Sequence, residues 1–319
     1  MKKCIVYILL ISCVLLCGCA ADLKPVPEYI QTELIMDTVC SVRVGGNNAK
    51  EIANAVFARI AEISDKTDYF ADTSEVSKIN QTGANVPIEL SEDVFNIIKM
   101  SLEISRRSDG AFDITLAPIK DLWNISGGAH KPPSKDDIDK ALSFVGYEKL
   151  VLDEDNKTLT KAADGAKIDL GGAAKGYAAD CAANVLREHQ AAYAIIDLGG
   201  NIYAFGKNPS RADGKWLIGI QKPFTQNGEY SQTILIDEGA VVTAGTYQRY
   251  FEWDGEIYHH IMDSKTGSPS DSGVSSASIT SHSALLADCV STACVVLGEE
   301  KGKALADELL CELIIERVA

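Results

Sequence analysis

From Glu33 to Val44 polar and apolar positions alternate, and the run stops at Gly45-Gly46; a period of two predicts a strand. The period then changes. Ile52, Val56, Ile60 and Ile63 fall on one face of a helix spanning Asn48 to Asp65. A second amphipathic helix starts after Ser91, a suitable N-cap, carries Val94, Ile97, Ile98, Leu102 and Ile104, and ends by Gly110. Ser134 caps a third, to Phe144, with acidic residues in its first turn. Leu150-Val151-Leu152 and Leu159 frame a hairpin across Asp153 to Lys157.

Next comes an internal echo. Ile-Asp-Leu-Gly-Gly occurs at 168–172 and again at 196–200, with an Ala-rich helix from Ala173 to His189 and a strand at Ala194 to Ile196 between. Strand, Gly-Gly turn, helix and strand would set a helix N-terminus beside exposed backbone. The second half alternates like sheet at Leu217–Ile220, Gln232–Ile236, Ala240–Ala244 and Tyr247–Trp253. Two helices follow, Ser283–Leu297 and Glu300–Cys311, parted by Gly298. No low-complexity linker divides the middle. The expected fold is one mixed α+β (α/β) domain over residues 31–317, in one lobe or two, with its site between the halves.

The N-terminus has a different character. Lys2 and Lys3 precede an apolar run, Ile5 to Leu16, too short to span a bilayer comfortably. Leu16-Cys17-Gly18-Cys19 resembles the lipobox of bacterial lipoproteins, which makes 1–18 a cleaved signal and Cys19 the lipid-bearing first mature residue. An uncleaved anchor, or secretion with Cys19 unmodified, is the alternative. Pro25 and Pro27 make 19–30 an extended tether. The expected location is therefore the cell membrane, facing away from the cytoplasm. The formal charge is −15, or −17 without Lys2 and Lys3, and no basic run relieves it, which argues against nucleic acid as a partner. Beyond Cys19, the cysteines 40, 181, 289, 294 and 311 lack metal spacing, and the last four sit in apolar helical patterns as buried small residues would.

Asp288 is the sharpest chemical signal. Its neighbours are Leu285, Leu286, Ala287, Val290, Ala293 and Val295, and a carboxylate on so apolar a helix needs a partner. Thr292, four residues on, shares its face. Those oxygens suit Mg²⁺; a backbone amide or an arginine would serve the Asp as well. Gly171-Gly172 offers a carbonyl to a metal, amides to a phosphate, or merely a turn, with Lys175 following. Asp113 and Thr115 alternate with apolar neighbours in an expected strand; Asp113 either bonds a ring or ribose or caps a turn. His259-His260 lie at a strand end before Asp263, as general base or as structure.

Taken together these segments resemble the ApbE flavin transferases. The matching strings are Met36-Asp37-Thr38, Ser74-Glu75-Val-Ser77-Lys-Ile-Asn80, Gly110-Ala111-Phe112-Asp113-Ile-Thr115 with Pro118, and Ile168-Asp169-Leu-Gly171-Gly172-Ala-Ala-Lys175-Gly176-Tyr177. Asp197-Leu-Gly199-Gly200-Asn201, Gly245-Thr-Tyr247-Gln-Arg249-Tyr250, His260-Ile261-Met-Asp263 with Thr266-Gly267, and Ala287-Asp288 with Ser291-Thr292 complete them in order. The resemblance implies an FAD site lined by Met36, Ala111, Phe112, Asp113, Asp169, Lys175 and Ile261. It implies Mg²⁺ ligands at Gly172 or its neighbour, Asp288 and Thr292, and a base at His260. Phe70 stands where many members place a Tyr beside the flavin, and Ser264 replaces a common Pro. The implied reaction moves FMN from FAD to a threonine hydroxyl of an exported or membrane redox subunit, in Nqr-like sodium-pumping or Rnf-like complexes, releasing AMP. Lys175 or Arg249 would steady the phosphates. The competing activities are Mg²⁺-dependent hydrolysis of FAD to FMN and AMP, and flavin binding without catalysis.

Overall fold

The computed structural model describes residues 26–125, 127–128, 131–225 and 228–317. The signal segment, Cys19 and the tether up to residue 25 lie outside the described residues. The chain enters through a hairpin, β1 (Glu28–Ile35) and β2 (Thr38–Gly45). Residues 28–30, assigned from sequence to the tether, therefore belong to a strand. The single strand expected over 33–44 is likewise two strands. Met36 and Asp37 turn between them with φ of 54° and 58°. Nothing in the sequence marks this turn strongly, because Met rarely adopts left-handed backbone and no Gly or Asn is present.

β1 and β2 open a seven-stranded sheet of order β1-β2-β6-β7-β10-β15-β16, in which each neighbouring pair is antiparallel. β6 is Tyr193–Leu198, β7 Asn201–Gly206, β10 Gly239–Gly245, β15 Val274–Ser281 and β16 Glu312–Arg317. One face is covered by α1 (Ala49–Thr67), α6 (Ala174–Glu188) and α7 (Ala284–Leu297). Val42, Ile196, Val242 and Ile279 point into that layer. Alternate residues such as Tyr193 and Val241 meet the hairpin β8 (Trp216–Gln221) and β9 (Tyr230–Ile236) on the other side. Central strands are thus buried on both faces, which is why they read as nearly continuous apolar runs.

A smaller cluster packs α4 (Ala117–Trp123) and α5 (Lys135–Leu142) against β11 (Tyr250–Trp253) and β12 (Glu256–His259), around Leu116, Ile119, Trp123, Phe251 and Met262. Tyr258 stacks on both Trp123 and Phe251, with centroids 5.5 and 5.3 Å away, and those two rings are 6.4 Å apart. β3 (Ile88–Glu89), β5 (Thr158–Lys161) and β4 (Leu150–Asp153) form a separate small sheet, and β13 (Met262–Asp263) pairs with β14 (Ser268–Pro269). The remaining helices are α2 (Glu75–Gln81), α3 (Glu92–Arg107) and α8 (Glu299–Glu308). The caps behave as expected, Ser91 accepting from Val94 N–H and Ser134 from Asp137 N–H. No helix among the described residues is long and apolar enough to cross a membrane.

Three expectations fail locally. Ile168 to Leu170 is irregular, not a strand. The echo is therefore no structural repeat: Gly199 and Gly200 turn the β6–β7 hairpin with φ of 68° and 96°, while Gly171 and Gly172 lead into α6 without positive φ. Asp113 and Thr115 lie at a 3-10 turn over Ile114–Leu116 rather than in a strand, because Asp113 accepts hydrogen bonds from both the amide and the hydroxyl of Thr115. The strand expected from Tyr247 begins only at Tyr250.

α6 and α7 cap each other. Asp180 on α6 accepts from Ala284 N–H, Leu285 N–H and the Ser283 hydroxyl at the start of α7. Asp288 on α7 accepts from Gly176 N–H at the start of α6, at 2.9 Å. Each carboxylate satisfies orphan donors at a positive helix end. The helices touch at Gly176, where a Cβ would stand 2.3 Å from the Ala284 carbonyl oxygen. Further along α6, the Tyr177 hydroxyl reaches Asp93 on α3 at 3.0 Å, and Asp93 is also held by Arg59 and Lys66 of α1. Burial opposes its charge, but these donors hold the Asp93 pKa down at about 2.

Candidate active site

The apolar stripe of α7 carries Asp288 into the interior, where it is 5% exposed. Its Oδ2 takes the Gly176 amide, and Oδ1 takes no hydrogen bond from the described residues. Among the described residues no Lys, Arg or His pairs with it. Burial pushes its pKa up, opposed by the Lys175 charge, the Gly176 amide and the side chain of Asn201. The backbone-amide partner envisaged from sequence is therefore present, yet it occupies only one oxygen. Thr292 is one turn further along α7, as its spacing requires. Gly172 lies against it: a Cβ there would stand 3.7 Å from Thr292 Oγ1 and 3.1 Å from the Phe112 ring. Gly172 thus lies against Thr292, and Asp288 is one turn back on the same helix.

These groups form a small all-oxygen set, a hard donor set of the kind Mg²⁺ takes. No group of three or more His, Cys, Asp or Glu side chains placed to hold a metal occurs among the described residues. Softer metals bound through imidazole and thiolate thus find no prepared site in this region. Asn201 Nδ2 completes the local picture. It is buried, has no hydrogen-bond partner among the described residues, and faces Asp288 without reaching bonding geometry.

Asp169 accepts from Gly171 N–H at 2.8 Å and from Lys120 Nζ at 2.7 Å. Desolvation opposes its charge, but Lys120, the Gly171 amide and Lys175 together depress its pKa. Lys175 Nζ rests on the Gly171 carbonyl at 3.2 Å. Neither Lys175 nor the exposed Arg249 makes an ion pair with a described residue. Lys120 and Arg249 both bear on His260. In a chain of charge −15, this region gathers three cations.

The two histidines separate cleanly. His259 Nε2 donates to the Ser270 carbonyl at 2.9 Å, and its Nδ1 accepts from Ile261 N–H at 3.3 Å. Both nitrogens are spent, so His259 is structural. His260 Nδ1 lies 3.2 Å from the Arg249 carbonyl, an acceptor, so this nitrogen carries the proton. Nε2 is then a free lone pair. The ring keeps some solvent contact but is hemmed in by protein. Desolvation, then the charges of Lys120 and Arg249, push its pKa down to about 3, so the ring is neutral near neutral pH.

The remaining candidates divide by role. Asp113 is 7% exposed and accepts from the Thr115 amide, the Thr115 hydroxyl and Tyr147 N–H. Burial raises its pKa against those bonds. It locks the 110–116 segment against Tyr147, the turn-capping alternative. Ala111, Phe112 and Ile261 are buried, Phe112 flanking Gly172. Met36 sits at the hairpin turn, with no hydrogen bond linking it to the others. Phe70 is 80% exposed and meets Tyr69 edge-on at 5.2 Å. Tyr69 bonds Asp121, the chain neighbour of Lys120. The sequence reading missed Lys120 and Asn201 as site residues. Lys120 is 49 positions from Asp169, and no local pattern marks the pair.

The ApbE family model matches residues 36–315, across β2 to β16. The chain belongs to the ApbE family. Among curated ApbE relatives, the FAD:protein FMN transferase of Klebsiella pneumoniae is 34% identical over 79% of this chain and 77% of its own. That of Treponema pallidum is 30% identical over 96% and 90%. The crystal structure of the ApbE protein from Thermotoga maritima superposes with a TM-score of 0.82 at 31% identity, covering 91% of this chain and 97% of that one. The flavin transferase ApbE from Vibrio cholerae gives 0.81 at 26%, covering 92% and 95%. The antiparallel sheet and its helical layer are thus the ApbE fold, as a mixed α+β expectation requires.

Proposed function

We propose that this chain is an FAD:protein FMN transferase that moves FMN from FAD to a threonine hydroxyl of an acceptor protein and releases AMP. The observation that carries the reading is a neutral His260 with Nε2 unspent, near Lys120 and Arg249. Transfer joins the acceptor oxygen to the FMN phosphorus and breaks the bond to the AMP oxygen, so a hydroxyl proton must leave. His260 Nε2 takes that proton. Lys175 and Arg249, unpaired with any described carboxylate, bind and orient the diphosphate. Phe112 and Ile261 give the site an apolar wall, and the exposed face of Phe70 receives the flavin ring. Mg²⁺ held by Asp288, Thr292 and the Gly172 carbonyl would supply further positive charge against the diphosphate. An acidic enzyme thereby handles an anionic substrate through a few placed cations.

The acceptor in this reading is a redox subunit of a membrane complex, Nqr-like or Rnf-like, met outside the cytoplasm, with the enzyme held there by lipid on Cys19. The test incubates the protein with FAD, Mg²⁺ and a threonine-bearing acceptor domain and follows covalent flavin fluorescence on the acceptor. Label on the acceptor with release of AMP is the expected result. FMN and AMP without label would replace the transferase by a hydrolase. Asp288→Ala should lower turnover by at least ~10²-fold, and full wild-type activity in excess chelator would remove the metal from the reading.

A further inference from the structure

Asn201 opens β7 on the side of the sheet that faces the helices, sharing that side with Tyr203 and, across the ladder, with Val242. Its neighbours there are apolar, and it is 3% exposed. A buried amide in such a layer costs about 1–3 kcal/mol when a donor goes unmet. Asn201 Nδ2 is such a donor. An asparagine kept for packing alone would be bettered by leucine of similar volume. The group it faces is Asp288, whose Oδ2 is taken by Gly176 and whose Oδ1 is not. A donor without an acceptor and a carboxylate oxygen without a donor thus stand side by side in the interior.

We infer that Asn201 is a positioning residue for a hard divalent cation at Asp288: its amide holds the carboxylate in the orientation that presents an oxygen toward Thr292 and Gly172. This rests on the magnesium reading of the site. Two bonds then restrain the carboxylate, one from each flanking element. Gly176 N–H comes from α6 and Asn201 Nδ2 from β7. Asp288 itself rides on α7, so the three elements that meet at this corner each supply one member. Loss of such an outer hydrogen bond typically costs ~10–100-fold in metal affinity.

Magnesium chloride is titrated calorimetrically into the purified protein, and the melting temperature is followed with and without the ion. Asn201→Leu should weaken Mg²⁺ binding ~10–100-fold and shrink the Mg²⁺-dependent rise in Tm. Its Tm without metal should equal or exceed wild type, because an unmet donor has been removed. Asn201→Ser keeps a shorter donor and should bind with intermediate affinity; it decides the matter should the leucine variant not fold. Equal Mg²⁺ affinity in wild type and a folded variant would overturn the role of Asn201 while leaving the metal site standing. Wild type that binds no Mg²⁺, with or without FAD, would overturn both together.

Discussion

His259 and His260 are adjacent and chemically alike, yet only one has a nitrogen to spare. Each ring donates to a backbone carbonyl, but only His259 also meets a backbone amide. His259 donates to Ser270 and accepts from Ile261, whereas His260 donates to Arg249 and leaves Nε2 open. The pH behaviour follows from the lowered pKa of His260. Its folded value, about 3, lies below the ordinary value of 6.5. The unfolded chain therefore takes this proton first, and His260 costs stability as pH falls from about 6.5 toward 3. In the proposed reaction the same shift keeps His260, as base, unprotonated in mild acid. The acidic limb of kcat/KM, which reports the free enzyme, should lie well below pH 5. A limb near 6.5 that vanishes in a chelator-independent way with His260→Ala would contradict the assigned environment. That variant should slow transfer ~10²–10⁴-fold while FAD affinity stays unchanged, as measured by fluorescence quenching.

Between elements, the governing contact is the crossing of α6 and α7. Asp180 and Asp288 each cap the other helix, and Gly176 lets the two approach closely enough for both caps to form. A methyl at 176 would meet the Ala284 carbonyl, which is backbone and cannot swing aside. Gly176→Ala should therefore cost about 1–3 kcal/mol. It should also weaken Mg²⁺ binding, because the Gly176 amide is the donor that seats Asp288. A denaturant midpoint and a magnesium titration test both effects, and a variant with unchanged stability would mean that the helices part without penalty. The same crossing explains why two copies of one pentapeptide differ. Gly171-Gly172 runs into a helix pinned by Asp288, while Gly199-Gly200 is bent by the pairing of β6 with β7.

At the scale of the molecule, charge and address matter most. A net −15 surface repels anions at long range, and the cations near His260 act only at close quarters. Catalysis should accordingly depend on specific contacts more than on electrostatic steering. The lipid anchor proposed at Cys19 is the other whole-molecule property. With signal cleavage and acylation at Cys19, the protein should fractionate with membranes and be released only by detergent. Replacing residues 1–19 by an export signal that is cleaved without acylation should move it into the soluble extracytoplasmic fraction with its FAD-dependent activity intact. Retention of the variant in membranes would assign the anchoring to another feature of the chain.

The sequence by itself determined the longer helices and about half of the strands, because their signals are local; it did not mark α2, α4 or the central-sheet strands β7, β15 and β16. Periodicity and composition set α1, α3, α6 and α7, and serine caps placed the starts of α3 and α5. It also determined that Asp288 and Thr292 share a face, since both lie on one helix. What the tertiary structure alone decided was everything that joins distant segments. The Met36-Asp37 turn is set by pairing of β1 with β2 and of β2 with β6, not by turn residues. Asp113 became a lock because Tyr147 N–H arrived from 34 positions away. Lys120 met Asp169, and Asn201 met Asp288, through packing that no spacing encodes. The choice between His259 and His260 was likewise tertiary. Hydrophobic pattern says which face of an element is buried, but hydrogen-bond partners across elements depend on how those faces are stacked.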